Sequence, residues 1–216
     1  MTDFNTGLDA YLAGDLSTAF HVWRLLADQG DVRSQYNLGV LYDQGKQVQR
    51  DVTAAVRYYR MAAEQGYADA AFNLAVMFDQ GDLAPSDPAE PAYWYGVAAT
   101  QGNPQAQLKL GVKYELGEGI DQDPEQAARW YHEAAEAGEA RAANNLARCY
   151  ALGLGIARSD VYAYMWFAIA AELGLANAAR QRERVARELS PDQRLRAGEL
   201  AERWLSRHRV SRTSGG

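Results

Sequence analysis

The chain has 216 residues, 48% of them hydrophobic and 23% charged, which is enough apolar material for a continuous core and too much for a disordered chain. Its formal net charge of −6 is uneven: residues 1–179 carry 12 Lys/Arg against 23 Asp/Glu, and residues 180–216 carry 10 against 5. A single cysteine, Cys149, cannot form an internal disulfide. The first fifteen residues lack the basic-then-apolar order of a signal peptide, and no apolar run approaches the roughly 20 residues that cross a bilayer, so a cytoplasmic location without direct membrane insertion is expected.

Taken from the start, residues 3–28 read as a helical hairpin turning at Gly14, a divergent opening unit that makes 1–30 an N-terminal cap. From there a period of 36 takes over. Glycines recur at Gly30, Gly66, Gly102, Gly138 and Gly174, and a second series runs through Gly45, Gly81, Gly117 and Gly153. Aromatic or apolar pairs keep the same register at Val22-Trp23, Tyr58-Tyr59, Trp94-Tyr95, Trp130-Tyr131 and Trp166-Phe167. Such self-similarity marks a repeat architecture, with units 31–66, 67–102, 103–138 and 139–174.

Each unit reads as two helices. Apolar residues such as Tyr36, Leu38, Val40, Leu41 and Tyr42 fall at helical spacing before a glycine stop. Asp51, Asp87, Asp123 and Ser159 fall 36 apart as N-caps, two of them followed by Pro88 and Pro124, residues suited to a first helical turn. First helices are therefore expected near 31–44, 67–80, 103–116, 139–152 and 175–188, and second helices near 51–64, 87–100, 123–136, 159–172 and 191–206. The leucine series Leu38, Leu74, Leu110, Leu146 ends at Arg182, which makes 175–209 a C-terminal capping repeat with a polar outer face. Residues 210–216 read as a disordered end. The fold expected is an all-α, right-handed α/α solenoid of about six helical hairpins.

The unit resembles the Sel1-like repeat, a relative of the tetratricopeptide repeat, through residues 106–119, AQLKLGVKYELGEG, and 127–138, AARWYHEAAEAG. The resemblance implies a scaffold or adaptor that binds another protein or peptide, and, by likeness to related superhelices, a concave face lined by the first helix of each pair. A cysteine-rich branch of the family is linked to penicillin binding and hydrolysis, but its paired cysteines have no counterpart in this chain.

Three ladders compete for the ligand-contacting positions. Asn37, Asn73 and Asn145, with Lys109 at the same register, either pin an extended peptide backbone or brace a neighbouring helix. Tyr36, Phe72, Leu108, Asn144 and Arg180, alongside Val40, Val76, Val112, Arg148 and Arg184, change from apolar to basic and suit a partner with an apolar stretch and an acidic group, or else serve inter-repeat packing and capping. Asp43, Asp79 and Glu115 form either an acidic wall or a solvated face. The aromatic pairs are assigned to the core, so that Trp130→Ala costs roughly 3–5 kcal/mol.

Catalytic readings find no support in the residues: His21, His132 and His208 fall in separate units with no histidine or cysteine at i+3 or i+4, and the Gly-x-Gly runs 117–119 and 153–155 follow no strand. No cofactor, metal or nucleic acid is expected, since the tail arginines alternate with Asp192, Glu199 and Glu202 and the body is acidic. A second arrangement is a homo-oligomer in which the C-terminal helix, through Trp204 and Leu205, docks on another copy.

Overall fold

A computed structural model describes the backbone of residues 3–213 and the side chains of residues 3–208. All regular structure among them is α-helical, in twelve helices. One compact unit, ending at Gln101, holds α1 (Phe4–Leu12), α2 (Leu16–Asp28), α3 (Val32–Gln44), α4 (Val52–Glu64), α5 (Ala68–Gln80) and α6 (Glu90–Thr100). The second, from Gly102, holds α7 (Pro104–Leu116), α8 (Pro124–Glu136), α9 (Ala140–Leu152), α10 (Asp160–Glu172), α11 (Ala178–Ala186) and α12 (Pro191–Thr213). Within each unit consecutive helices from α1 to α10 pack pairwise as hairpins and each hairpin lies against the next, while α11 and α12 both pack on α10.

Local chemistry explains the boundaries. Carboxylates or hydroxyls of Asp3, Asp15, Asp31, Asp51, Asp123 and Ser159 accept hydrogen bonds from first-turn amides, satisfying donors that have no helical partner. Gly45, Gly81, Gly117 and Gly153 end α3, α5, α7 and α9 with φ of 65–75°, a left-handed conformation that costs a residue with a Cβ. Gly155 is held more strictly, because a side-chain carbon there would overlap the Pro124 carbonyl at the start of α8.

Asp87 departs from its expected role. In the other repeats the amides of Ala55, Ala127 and Ala163 bond the N-cap carbonyls of Asp51, Asp123 and Ser159 at 2.9–3.0 Å. Proline, with no N–H, occupies that register at Pro91. The helix consequently begins three residues later than expected, at Glu90, whose amide bonds the Asp87 carbonyl at 2.9 Å while its carboxylate accepts from the Ser86 amide at 3.1 Å.

The closing unit is also rearranged. α11 covers only Ala178–Ala186, with no side-chain cap, and α12 continues to Thr213, beyond the limit near 206 read from sequence. Of the stretch 210–216 expected to be disordered, 214–216 lies outside the described residues. Both α11 and α12 pack against α10, which explains why α10 is apolar all round: Met165, Trp166, Phe167, Ala168 and Ile169 are buried in succession.

The aromatic pairs form the core as expected, with one exception. Trp23, Tyr58, Tyr59, Trp94, Tyr95, Tyr131, Trp166 and Phe167 are buried, but Trp130 is only half-buried. The large cavity cost expected for Trp130→Ala therefore belongs to Tyr131, which has 0% exposure. Tyr59 and Tyr131 lie against Gly39 and Gly111, where a Cβ would stand 2.6 and 2.7 Å from the ring.

Thermal denaturation provides a direct check on this packing. Gly111→Ala is expected to destabilise by about 1–3 kcal/mol through overpacking against Tyr131. Gly96→Ala, in α6 with open space around its Cα, is expected to stabilise by about 0.5–1 kcal/mol by removing unfolded-chain entropy.

Candidate partner-binding face

The first helices carry the expected ladders on a face that packing leaves partly open. Tyr36, Asn37 and Val40 on α3, and Phe72, Asn73 and Val76 on α5, are all half-buried in the first unit. In the second unit Leu108 and Val112 on α7, and Asn144, Asn145 and Arg148 on α9, are half-buried, and Lys109 is exposed. The structure divides these residues between bracing and availability.

Asn73 is a brace. Its side chain lies beside the hydroxyls of Tyr36 and Tyr59 on the preceding hairpin, close enough to act on both phenols. Burial raises the pKa of both phenols, so they stay protonated and keep their hydrogen-bonding capacity. Asn37 and Asn145, at the same register, have no side-chain hydrogen-bond partner among the described residues.

The acidic ladder is structural at two of its rungs. The Tyr95 hydroxyl donates to Asp79 Oδ2 at 3.0 Å, and the Tyr131 hydroxyl donates to Glu115 Oε2 at 2.6 Å, each joining the two helices of one hairpin across a separation of 16 residues. In the fourth repeat these two positions are Ala151 and Phe167, so carboxylate and hydroxyl are lost together. A lone buried hydroxyl or carboxylate would lack a partner, whereas the apolar pair needs none.

Arg148 is likewise engaged within the chain. Its guanidinium donates to both oxygens of Glu115 at 2.6 Å, linking α9 to α7. Burial alone would raise the Glu115 carboxyl, but the bonds from Arg148 and Tyr131 outweigh it and hold the group below the ordinary carboxylate range. The basic character expected at Arg148 is thus neutralised. In the first unit Arg50 reaches Asp82 at 3.0 Å and Asp43 at 3.4 Å, and Arg60 pairs with Glu90.

Other expected reagents are also accounted for. Trp204 is 3% exposed, stacks on His208 at 3.7 Å, meets Trp166 edge-on and donates to Glu136 at 3.1 Å, so it is unavailable to dock on a second copy. Leu205 is half-buried beside it. Burial pushes the Cys149 thiol up to about 11, leaving it protonated at neutral pH. His21 lies against Phe20 and His132 against Trp166. Among the described residues no three His, Cys, Asp or Glu side chains converge in a metal-binding geometry, and no helix is long and apolar enough to cross a membrane.

The ladders omitted residues that the structure brings to the surface. Leu116 and Leu152 are 57% and 63% exposed at the end of α7 and α9, at a register where the first two repeats have Gln44 and Gln80. That exchange of glutamine for leucine was the available signal. Arg158, Gln181 and Arg187 join Asn144 and Arg184 around a cleft in the second unit, a gathering of α9, α10 and α11 that no single periodicity contains.

These features define an all-α repeat protein built from helical hairpins with a constant interior and variable first-helix surface. Sel1 repeat models match four consecutive segments, residues 32–67, 68–103, 104–139 and 140–175, and the chain belongs to the Sel1 repeat family. Such repeats generally mediate protein–protein interactions. The fold is similar to that of a protective antigen of uropathogenic Escherichia coli strains displaying an SLR fold, with TM-score 0.76 and 31% identity over 88% of this chain; the alignment spans only 41% of that protein. It is also similar to a Sel1 repeat protein from Oxalobacter formigenes, with TM-score 0.67 and 30% identity, covering 86% of this chain and 78% of that one. Among curated protein sequences nothing matches the chain at a significant level.

Two measurements probe the internal pairs. Glu115→Gln is expected to cost about 1–3 kcal/mol at neutral pH in denaturant unfolding. Because the folded carboxyl is depressed, its contribution is present above the unfolded value near 4.3 and lost as pH falls through the folded one, so the gap between wild type and variant should narrow below about pH 4. Cys149 should resist a thiol reagent such as dithionitrobenzoate in the native protein and react promptly once the chain is unfolded.

Proposed function

We propose that the chain is an adaptor that binds an extended segment or helix of a partner protein along the exposed face of its first helices, without catalysis. The observation that carries the reading is the set of half-buried apolar side chains left open at corresponding positions of successive first helices. In the first unit these are Tyr36, Val40, Phe72 and Val76, and in the second Leu108 and Val112, extended by the exposed Leu116 and Leu152. Asn37 and Asn145, whose side chains have no hydrogen-bond partner among the described residues, are the asparagines suited to meet a ligand backbone, whereas Asn73 lies against the Tyr36 and Tyr59 hydroxyls and Asp79 serves the frame. The protonated Cys149 thiol and the separate aromatic contacts of the three histidines support binding rather than nucleophilic or general-base chemistry.

Affinity capture from the native cell lysate tests this with two variants. Val40→Lys/Val76→Lys adds charge to the face while leaving the lysine stems able to cover apolar surface, and Asn37→Ala/Asn145→Ala should change stability by no more than about 0.5 kcal/mol. Partner retention should fall at least about tenfold in both. Equal retention by wild type and both folded variants would remove the first-helix face from consideration.

A further inference from the structure

The loss of the carboxylate–hydroxyl pair in the fourth repeat has a consequence on the surface. Where the earlier repeats place Asp79 with Tyr95 or Glu115 with Tyr131, Ala151 and Phe167 line a cleft of about 480 Å³ between α9, α10 and α11, within the usual range of small-ligand sites, about 300–1,000 Å³. Phe167, Val185 and Leu152 supply its apolar lining. Its polar groups are unevenly satisfied.

Arg148 is answered by Glu115, and Arg158 by Asp160 at 3.3 Å. The Arg184 side chain reaches only the neutral Gln181, at 3.3 Å, and the Arg187 side chain has no ion pair or hydrogen bond among the described residues. Glu188 is the one remaining carboxylate of the lining, so the unanswered charge is a single positive one. That balance suits a monoanion in preference to a doubly charged phosphate. The Oδ1 of Asn144 is buried in the same wall with no hydrogen-bond partner, a group that asks for an N–H donor.

We infer that this cleft binds the free C-terminal carboxylate of a partner polypeptide whose last side chain is apolar. A single C-terminal residue supplies the three complements at once: its amide N–H for Asn144, its side chain for Phe167 and Val185, and its α-carboxylate for Arg184 and Arg187. An internal Asp or Glu separates the acid from the apolar group, and inorganic anions offer neither an apolar group nor an amide. The inference rests on the partner-binding reading and specifies the chemistry of one end of the partner.

The test is a titration of the full chain with N-acetylleucine, followed by ¹⁵N amide shifts. Saturable shifts are expected at residues 144, 184, 185 and 187, weakening as salt is raised. N-acetylleucinamide, which lacks the charge, and the Arg184→Gln/Arg187→Gln protein should each bind about tenfold or more weakly. These arginines are exposed, so the variant should keep the wild-type melting temperature. A peptide Ac-Ala-Ala-Leu with a free carboxylate should bind at least as tightly as N-acetylleucine. The proposal is overturned if the amide binds as well as the acid, if acetate, inorganic phosphate or N-acetylglutamic acid α-amide matches N-acetylleucine, if the longer peptide is excluded, or if no saturable shift occurs. Capture of a partner that is lost with Val40→Lys/Val76→Lys, together with an empty cleft, would sink this inference and leave the adaptor reading standing.

Discussion

Everything in the fold depends on how closely the two helices of a hairpin approach one another. The second helix presents a ring to the first, and Gly39 and Gly111 remove the side chain that would block Tyr59 and Tyr131. Where the ring is a tyrosine buried at its body, its hydroxyl must find an acceptor, and in the second and third repeats Asp79 and Glu115 lie four residues further along the first helix to provide it. A single contact thus sets both the separation of the helices and the polarity of one edge of the hairpin. Much of the charge that looks available in the sequence is committed at this contact.

Inter-repeat contacts draw on the same residues. Glu115 accepts from Tyr131 within its hairpin and from Arg148 on α9, and the Asp79 carboxylate accepts from Tyr95 within its own. These groups sit at partly exposed positions where a ligand could reach, but their bonding capacity is already used. Among the described residues, those with unused capacity include Asn37 and Asn145, the leucines at 116 and 152, and the Asn144, Arg184 and Arg187 group. Recognition is expected from this remainder, since a constant frame with variable surface side chains is how repeat proteins diversify.

The fourth repeat and the cap that follows it show how a repeat array ends. α10 is covered by α9 on one side and by both α11 and α12 on others, which allows Met165, Trp166, Phe167 and Ile169 to be buried together. Trp204 and His208 then seal the far edge against Trp166 and Glu136. With α11 shortened to Ala178–Ala186, its polar face borders the space vacated by the missing carboxylate–hydroxyl pair. The capping arrangement and the arginine-lined cleft therefore share one structural cause.

Periodicity alone determined the repeat length, the alternation of first and second helices, and the assignment of the aromatic pairs to the interior, because glycine stops, oxygen-bearing caps and helical spacing are local signals that recur every 36 residues. It misplaced the start of α6, where Pro91 removes one amide, and the burial of Trp130. The ladder residues lie on the first helices, but their pattern could not separate Asn73 from Asn37, or Arg148 from Arg184, since each pair is equivalent in sequence pattern. Only the tertiary structure decided which of them are spent, because a hydrogen bond such as Glu115 to Arg148 joins residues 33 positions apart, and its formation depends on the distance between packed helices rather than on any local propensity.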